Sequence, residues 1–600
     1  SVAPELNFGI SDKTSVDSIE ILWPDQKYSV FYDVPVDTTL TIEYGGINPT
    51  HHIKKKSQYL FQEIAQQINV EYKHKDMLFV DFKREPLIPR NYSFNGPSIA
   101  VADINGDELD DFYISGSFPY FGKFFTQNKD GTFDTIPAAF NKNHEGQASL
   151  FFDSDNDGDN DLYLVNGGSE LFDDGYYHDK LYINDGNGNF NLSENLPKLD
   201  TSGSCVTASD YDKDGDLDLF VGGRIIPGSY GLSPKSHLLK NENGVFKDAT
   251  ISVLGGDKLG MVTSGLWTDF NNDGWKDLII VGEWMPITIF QNNQGGFFSK
   301  IEIKNTHGWW NSINGGDFDN DGDTDYILGN LGKNSVFKAS VDYPISLVVG
   351  DFDKDQKIDP ILSIHYKDDD NEYRSYPFAS RDLLLDQLNF IKNKFRTYKQ
   401  YSTATIGEIV SNTPCKKLSA SLLESIYLEN LGDGNFKIHP LPNVAQFAPV
   451  MGTVVSDFNL DGNLDVLLVG NFYHNEVSYG QSDASLGLYL QGRGNGTFLT
   501  IENSQSGFFV DGDARALARL HSLNDQLIIA AQNSDSLKIF RAINTKGKTV
   551  QISDESGHAE IIFKNGKKQK IESYLGEGYQ SQSSKSHKIP TDASFKTFYN

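Results

Sequence analysis

Cysteine is nearly absent from this chain: Cys205 and Cys415 are the only two in 600 residues, too few for a disulfide framework. Cys205 lies in the strand-like run Cys205-Val-Thr-Ala-Ser209 and reads as a small buried hydrophobe, not a ligand. Basic residues are scarce too, 52 against 82 acidic ones, so the net charge is −30 and no basic face is on offer to nucleic acid. No apolar stretch approaches the roughly 20 residues of a membrane-spanning helix, so the chain is not expected to span a membrane with one. Ser1 opens no charged-then-apolar leader, and a signal peptide is expected to have been removed or to lie upstream. Also missing are a Gly-x-Ser-x-Gly elbow, His-Glu-x-x-His, a phosphate loop and any His/Cys metal cluster, which removes the usual sequence signals of several enzyme classes.

What the chain has in quantity is glycine and aromatics, with 55 Gly, 40 Phe and 28 Tyr, the composition of a turn-rich all-β protein. It also repeats one nine-residue frame seven times, with Asp or Asn at positions 1, 3, 5 and 9 and Gly usually at position 6. The first three copies supply Asp103, Asn105, Asp107 and Asp111, then Asp153, Asp155, Asp157 and Asp161, then Asp210, Asp212, Asp214 and Asp218. The fourth and fifth supply Asp269, Asn271, Asp273 and Asp277, then Asp317, Asp319, Asp321 and Asp325. The last two supply Asp351, Asp353, Asp355 and Asp359, then Asp457, Asn459, Asp461 and Asp465.

Carboxylates at alternate positions of one tight turn repel one another unless a cation joins them, and Ca²⁺ takes six to eight oxygen ligands of this kind. Oxygen-only ligands exclude a zinc-type site. The frame opens like an EF-hand but lacks its Glu at position 12, where Ile114, Leu164, Val221, Ile280, Leu328, Leu362 and Leu468 stand instead, each inside a β-type run. Solvated Asp/Asn/Gly turns without an ion would account for a single copy, whereas seven in register point to ligands. Glu108 and Gln356 replace the turn glycine, and Asn105, Asn271 and Asn459 lower the charge of their loops, so the second, third and fifth loops are the best calcium candidates. Twenty-five of the acidic side chains sit in these frames, and seven bound Ca²⁺ would bring the net charge from −30 to about −16.

Each repeat has an apolar strand entering the loop, a buried strand leaving it, and a third strand ending in Asn and followed by Phe, as in Lys180-Leu-Tyr-Ile-Asn184 with Phe190. His237 to Asn241 with Phe246 and Ile426 to Asn430 with Phe436 follow the same pattern. Short antiparallel strands in repeating units of about 50 residues predict propeller blades. First aspartates are spaced by 50, 57, 59, 48, 34 and 106 residues; the last gap holds a leucine- and phenylalanine-rich helical period, Arg381 to Phe395, which predicts a helical insertion over about 376–424. Ala514 to Phe540 forms a further unit without acids, so the expectation is an all-β, eight-bladed propeller, or a seven-bladed one if that unit completes another blade. The segment 1–45 reads as a separate β unit with strands at Leu6–Ile10, Val16–Pro24 and Thr38–Tyr44. A His/Lys patch and a short amphipathic helix at Tyr59–Val70 fall in a linker, 46–92; the propeller covers 93–542, and 543–600 is again β-like.

The repeated Asp-x-Asp/Asn-x-Asp-Gly-x-x-Asp frames over about 93–542 resemble the FG-GAP or VCBS repeats of integrin α-type propellers. The flanks resemble the ASPIC/UnbV domain: Asn7-Phe-Gly-Ile10 and Ser18-Ile-Glu-Ile-Leu-Trp-Pro24 match its second half, and Gly576-Glu-Gly-Tyr-Gln-Ser-Gln582 its first. Gly282-Glu-Trp-Met-Pro286, Gly308-Trp-Trp-Asn311 and Gly329-Asn-Leu-Gly332 are similar to segments of Bacteroidota-type surface proteins. Because the second half precedes the first, the chain is expected to be one segment of a longer tandem array, or to pair its two halves across the ring. The resemblance implies a non-enzymatic extracellular or outer-membrane-associated binding protein holding up to seven structural Ca²⁺. It would recognise protein or glycan on a propeller face or the insertion, with outer-membrane uptake machinery as one partner. The alternative is a carbohydrate-active enzyme, such as a polysaccharide lyase, using His74, Asp81 and Arg84 and stacking sugars on Trp309 and Trp310.

Overall fold

An acid frame folds the chain back on itself, so the strand before it and the strand after it pair antiparallel with the loop at their common end. A computed structural model shows this at every frame; it describes residues 8–9, 13–23, 28–43, 59–138, 145–170, 174–411, 413–432, 434–523, 525–543, 547–552 and 556–599. In the third repeat Ser202–Ser209 pairs with Asp218–Ile225, which pairs with His237–Glu242, which pairs with Val245–Asp248. Val206 faces Val221, Leu219 faces Leu239, and Asn241 faces Phe246 across the tight last turn. The first two strands are buried along nearly their whole length, because other sheets cover both faces.

Seven sheets are built this way, and their innermost strands are Ile99–Ala102, Gly146–Phe152, Ser202–Ser209, Met261–Thr268, Ser312–Gly316, Val450–Ser456 and Ala514–Ser522. Each innermost strand packs against that of the next sheet, and Ala514–Ser522 returns to pack against Ile99–Ala102. Apolar side chains from neighbouring sheets interlock between them. Phe112, Ile114 and Phe125 of the first sheet share one core with Leu520, Ile529 and Ile539 of the last. The last sheet takes its outer strand from the other end of the chain: Phe61–Glu63 pairs with Lys538–Ala542 in the register Phe61 to Ala542. The segment Tyr59–Val70 is therefore a short strand followed by a 3-10 turn, Ala65–Ile68, and not the amphipathic helix its spacing predicts. The free edge of Lys538–Ala542 overrides local propensity there.

The frame at Asp351 stands outside this circle. Its strands, Ile345–Gly350 and Asp359–Lys367, belong to a four-stranded sheet inserted in the sequence between two paired strands of the fifth ring sheet, Asp325–Gly329 and Ile426–Asn430. The helices Arg381–Gln387, Ile391–Lys394, Tyr398–Tyr401 and Ile406–Val410 do lie within 376–424, but so does a strand of that inserted sheet, Lys416–Ala420. Ser380 caps the first helix and Thr405 the last, and Leu384, Leu388, Ile391 and Ile409 bury against Val348 and Ile361 of the sheet. The insertion is thus a small α+β body with its own core.

The residues up to Tyr59 and those from Leu60 are two separate compact units. In the first, Ser15–Leu22 pairs with Tyr28–Pro35, and Trp23 Nε1 donates to Ser29 Oγ at 2.8 Å. Thr38–Glu43 is not a strand, contrary to expectation, while most of Leu6–Ile10 and the His51 to Lys56 patch lie outside the described residues. At the other end of the chain Gly547–Gln551 pairs with Ser586–Pro590, and Ser556–Ile562 lies between Lys568–Ile571 and Ser594–Tyr599.

Candidate metal centres and the filled axis

All seven acid loops have one backbone shape. Position 4 is left-handed at Gly106, Asn156, Lys213, Asn272, Asn320, Lys354 and Leu460, and position 6 at Glu108, Gly158, Gly215, Gly274, Gly322, Gln356 and Gly462. Glu108 and Gln356, the two departures from glycine, hold φ of 67° and 70°. The Asp at position 1 turns inward and accepts loop N–H groups: Asp153 Oδ2 from Gly158 N at 2.9 Å, Asp210 Oδ2 from Gly215 N at 3.0 Å, Asp457 Oδ2 from Gly462 N at 2.8 Å. The Asp at position 5 accepts from position 7, as Asp321 does from Asp323 N at 2.9 Å. These bonds fix carboxylates around a common centre before any ligand arrives.

Four loops bring three carboxylates together with oxygens within 4.8 Å of one another: Asp153, Asp155 and Asp161; Asp210, Asp212 and Asp218; Asp317, Asp319 and Asp321; Asp351, Asp353 and Asp355. Three of these are the loops singled out from sequence, and the fourth is the inserted one. The loops at Asp103, Asp269 and Asp457 have Asn105, Asn271 and Asn459 at position 3, which leaves them a carboxylate short. The donor set is oxygen alone, and in the fifth loop burial and then Asp321 push the Asp319 carboxyl up to about 6. Such a cluster fits a hard divalent cation. In the third loop Lys240 Nζ already contacts Asp212 and lies 3.1 Å from Asp214, so a metal ion would have to displace an ammonium there.

The Asp at position 9 does more than the sequence signals. Asp111, Asp161, Asp218, Asp277, Asp325, Asp359 and Asp465 are all essentially fully buried. In the ring sheets Oδ1 accepts the N–H that ends the third strand, from Asn184 to Asp161 at 2.8 Å, Asn241 to Asp218 at 2.8 Å and Asn430 to Asp325 at 2.8 Å. Burial pushes Asp218, Asp277 and Asp325 up to about 8. The strand-ending Asn then reaches the preceding sheet: Asn184 Nδ2 donates to Ile104 O at 2.9 Å, Asn241 Nδ2 to Ser154 O at 2.8 Å, Asn292 Nδ2 to Tyr211 O at 2.8 Å and Asn430 Nδ2 to Phe270 O at 2.7 Å. Sequence marks these asparagines as recurring turn residues without disclosing that each links two sheets.

The C-terminal residues complete the ring interior. On the loop face Lys570 Nζ donates to Asn272 Oδ1 at 2.6 Å and Lys570 N to Asp317 Oδ2 at 2.9 Å, while Lys567 Nζ donates to Gly462 O at 2.7 Å. Glu572 is buried between Lys276 and Lys570, at 3.3 and 3.1 Å. Burial opposes its charge, but the two ammonium groups prevail and hold the carboxyl down at about 2. From there Leu575–Ser584 runs between the innermost strands. Leu575 O accepts from Ala208 N at 2.9 Å, Gly578 N donates to Ile313 O at 2.9 Å, Gln582 N donates to Ile99 O at 2.9 Å, and Leu517 N donates to Ser581 Oγ at 3.1 Å. The Gln582 side chain pairs with the Phe151 main chain through both its oxygen and its nitrogen, each at 2.7 Å. The motif Gly576 to Gln582 thereby satisfies strand edges that face the axis.

The opposite face is built around Glu283, which accepts from Arg90 and, at 2.7 Å, Arg224 through Oε1, and from Tyr92 at 2.8 Å and Tyr230 at 3.0 Å through Oε2. Trp309 is buried and meets Trp284 edge to face at 4.7 Å, and Trp310 donates to Thr306 O at 2.8 Å, so neither ring offers a face to a sugar. Of His74, Asp81 and Arg84, the structure brings the last two together, with Arg84 Nη2 3.9 Å from Asp81 Oδ1, while His74 is engaged elsewhere. Ser534 N donates to His74 Nδ1 at 3.1 Å, and burial and then Arg515 push the imidazole down to about 3. Asp81 Oδ2 accepts from Tyr92 N at 3.0 Å and Ser93 Oγ at 2.8 Å, and Arg84 donates to the carbonyls of Ser169 and Glu170.

Comparison with known families matches residues 153–221 and 269–328 to the FG-GAP-like repeat and residues 1–49 to ASPIC and UnbV. No curated protein matches. Among solved structures, an Agrocybe aegerita lectin described as recognising non-reducing terminal N-acetylglucosamine is 15% identical, with a TM-score of 0.36, covering 70% of this chain and 84% of the lectin. Saccharomyces cerevisiae Sqt1 is 8% identical, with a TM-score of 0.35 and coverage of 79% and 100%. BBS1N, solved in complex with ARL6DN, is 10% identical, with a TM-score of 0.33 and coverage of 79% and 98%.

Proposed function

We propose that this chain, which carries FG-GAP-like repeats and an ASPIC and UnbV segment, is a seven-bladed, calcium-stabilised propeller displayed outside the cell that acts by binding protein or glycan. The circle of innermost strands supports seven blades, with the Asp351 sheet as an appendage. One observation carries the reading. The axis, where a propeller enzyme would hold its substrate, is filled by Leu575–Ser584, and acid loops of the ring gather carboxylates that could hold an ion. The protein's own C-terminal strands engage several acid loops, which leaves the opposite face and the inserted body for recognition.

That face carries the exposed apolar side chains Val336, Phe447 and Val477, the last 89% exposed. Millimolar extracellular calcium suits multiple weak Asp loops. The test uses the calcium-loaded chain as bait against an outer-membrane extract and a glycan array, beside a Phe447→Asp, Val477→Asp double variant. A partner retained by the chain, lost by the double variant and lost on chelation is expected. A partner held equally well by the double variant, or polysaccharide cleavage by the purified chain, would overturn the reading.

A further inference from the structure

Six of the ring loops have a neighbour in common that their own nine residues do not supply. It is the residue just before the one whose N–H closes on the position-9 carboxylate, and around the ring it is Thr126, Ile183, Lys240, Gln291, Glu429 and Gln491. At two of these places the side chain lies on the loop: Gln491 Nε2 donates to Asp461 Oδ2 at 3.2 Å, and Lys240 Nζ contacts Asp212 and lies 3.1 Å from Asp214. Lys240 is the one cation of the six.

The Lys240 side chain is 28% exposed and that of Asp212 13%, so this is not the solvated surface ion pair that contributes little. Its ammonium bridges positions 3 and 5, two of the ligands that a divalent ion needs. An ion among Asp210, Asp212 and Asp218 would be repelled by that charge unless both contacts were broken. Asp212 Oδ1 keeps no protein partner, a single acceptor that one water can meet. The third loop is meanwhile braced from both sides. Asn156 Nδ2 of the second loop donates to Asp216 Oδ1 at 2.7 Å, and Gly295 of the next sheet sits so close that a Cβ there would lie 3.0 Å from Asp212 Cβ. None of these contacts involves an ion.

The fifth loop is opposite in kind. It gathers Asp317, Asp319 and Asp321, and no lysine or arginine side chain forms an ion pair with them among the described residues. Asp317 is 1% exposed; its Oδ2 accepts from Lys570 N at 2.9 Å, and its Oδ1 is buried with no partner. A buried carboxylate oxygen left open beside two more acids calls for a cation. In the place of Lys240 stands Glu429, which adds to the effect of burial and Asp321 in raising the Asp319 carboxyl.

We propose that Lys240 is a tethered counter-ion that keeps the third loop free of calcium at concentrations that fill the fifth. Loops of one spacing then divide into self-neutralised turns and cation sites according to a single residue of the neighbouring strand. The third loop keeps its shape when calcium falls, and the fifth does not.

This rests on the calcium reading above, and the test separates the two. The full chain and its variants are dialysed to equilibrium against millimolar calcium, and bound ions are counted by atomic emission. Lys240→Met is expected to bind one ion more than the unaltered chain, and Lys240→Arg, which keeps the charge, the same number. Asp319→Ala is expected to bind one fewer, whereas Asp212→Ala, its counterpart in the third loop, leaves the count as it was. If Lys240→Met does not fold, the two aspartate variants carry the test. Equal counts for Lys240→Met and the unaltered chain, an ion lost from Asp212→Ala, or a full count in Asp319→Ala would overturn the inference and leave the calcium reading standing. No bound calcium in any of these proteins would overturn both.

Discussion

The acid loop at Asp351 and the loop at Asp210 are the same device in two settings. Both have left-handed residues at positions 4 and 6, and both gather three carboxylates. What differs is the strand beside them. In the third ring sheet Ser202–Ser209 is an edge, free to face the axis, whereas in the inserted sheet Lys416–Ala420 pairs along Ile345–Gly350 and covers that edge. The buried position 9 differs as well: Asp218 accepts the main chain of Asn241, which reaches back to the second loop, while Asp359 accepts Gln387 Nε2 of a helix at 2.6 Å. The nine-residue frame therefore makes a strand turn that can hold a cation. Membership of the ring requires in addition an uncovered inner edge, and in four ring sheets an asparagine links the sheet to its predecessor.

Chelation would test this contrast most strongly. A site held at a hundredfold its Kd contributes about 2.7 kcal/mol, so removing calcium is expected to lower the ring's melting temperature by more than about 10 °C, with a smaller change in the insertion, which has one loop. Scanning calorimetry with and without chelator measures it, and an unchanged trace would sink the calcium assignment. Phe61→Ala removes a ring packed at 5.4 Å against Phe458 and 5.5 Å against Tyr489, where the two chain ends close the circle. A loss of about 3–5 kcal/mol is expected for the ring, with hydrogen-exchange protection of Ile345–Gly350 retained.

Asp218→Ala leaves buried main-chain donors unmatched and should cost about 3 kcal/mol across the whole ring in urea unfolding. Asp359→Ala should instead loosen only the inserted body, seen as proteolysis within 345–420 ahead of global unfolding. If the two variants behave alike, the distinction drawn here between ring and appendage is mistaken. Asn241→Ala, which cuts one link between adjacent sheets, is the mildest change, at about 1–2 kcal/mol.

The strands and loops were legible in the sequence because both are local. Alternate acids, a turn residue and an apolar run sit within a dozen positions, and Val206 or Leu219 needs no distant partner to declare itself buried. The place of each sheet was not legible, since the Asp351 frame reads like its neighbours and only the pairing of Lys416–Ala420 sets it apart. Phe61–Glu63 has the spacing of a helix and becomes a strand because of residues nearly the whole chain away. Glu283 and Gly576 to Gln582 were visible only inside motifs of a resemblance, because burial among Arg90, Arg224 and Tyr230 or threading along strand edges at the axis leaves no periodic mark.

The pairing of Phe61–Glu63 with Lys538–Ala542 has a consequence for biogenesis. At ~5–20 residues per second, the ribosome needs about 25–100 s to deliver the second partner after the first. Over that interval the growing arc has two unsealed ends, and Leu575–Ser584, translated later still, must find its way into a circle whose other strands already exist. Secretion before synthesis ends, or a holding chaperone on the nascent arc, would guard those ends until the last strand arrives.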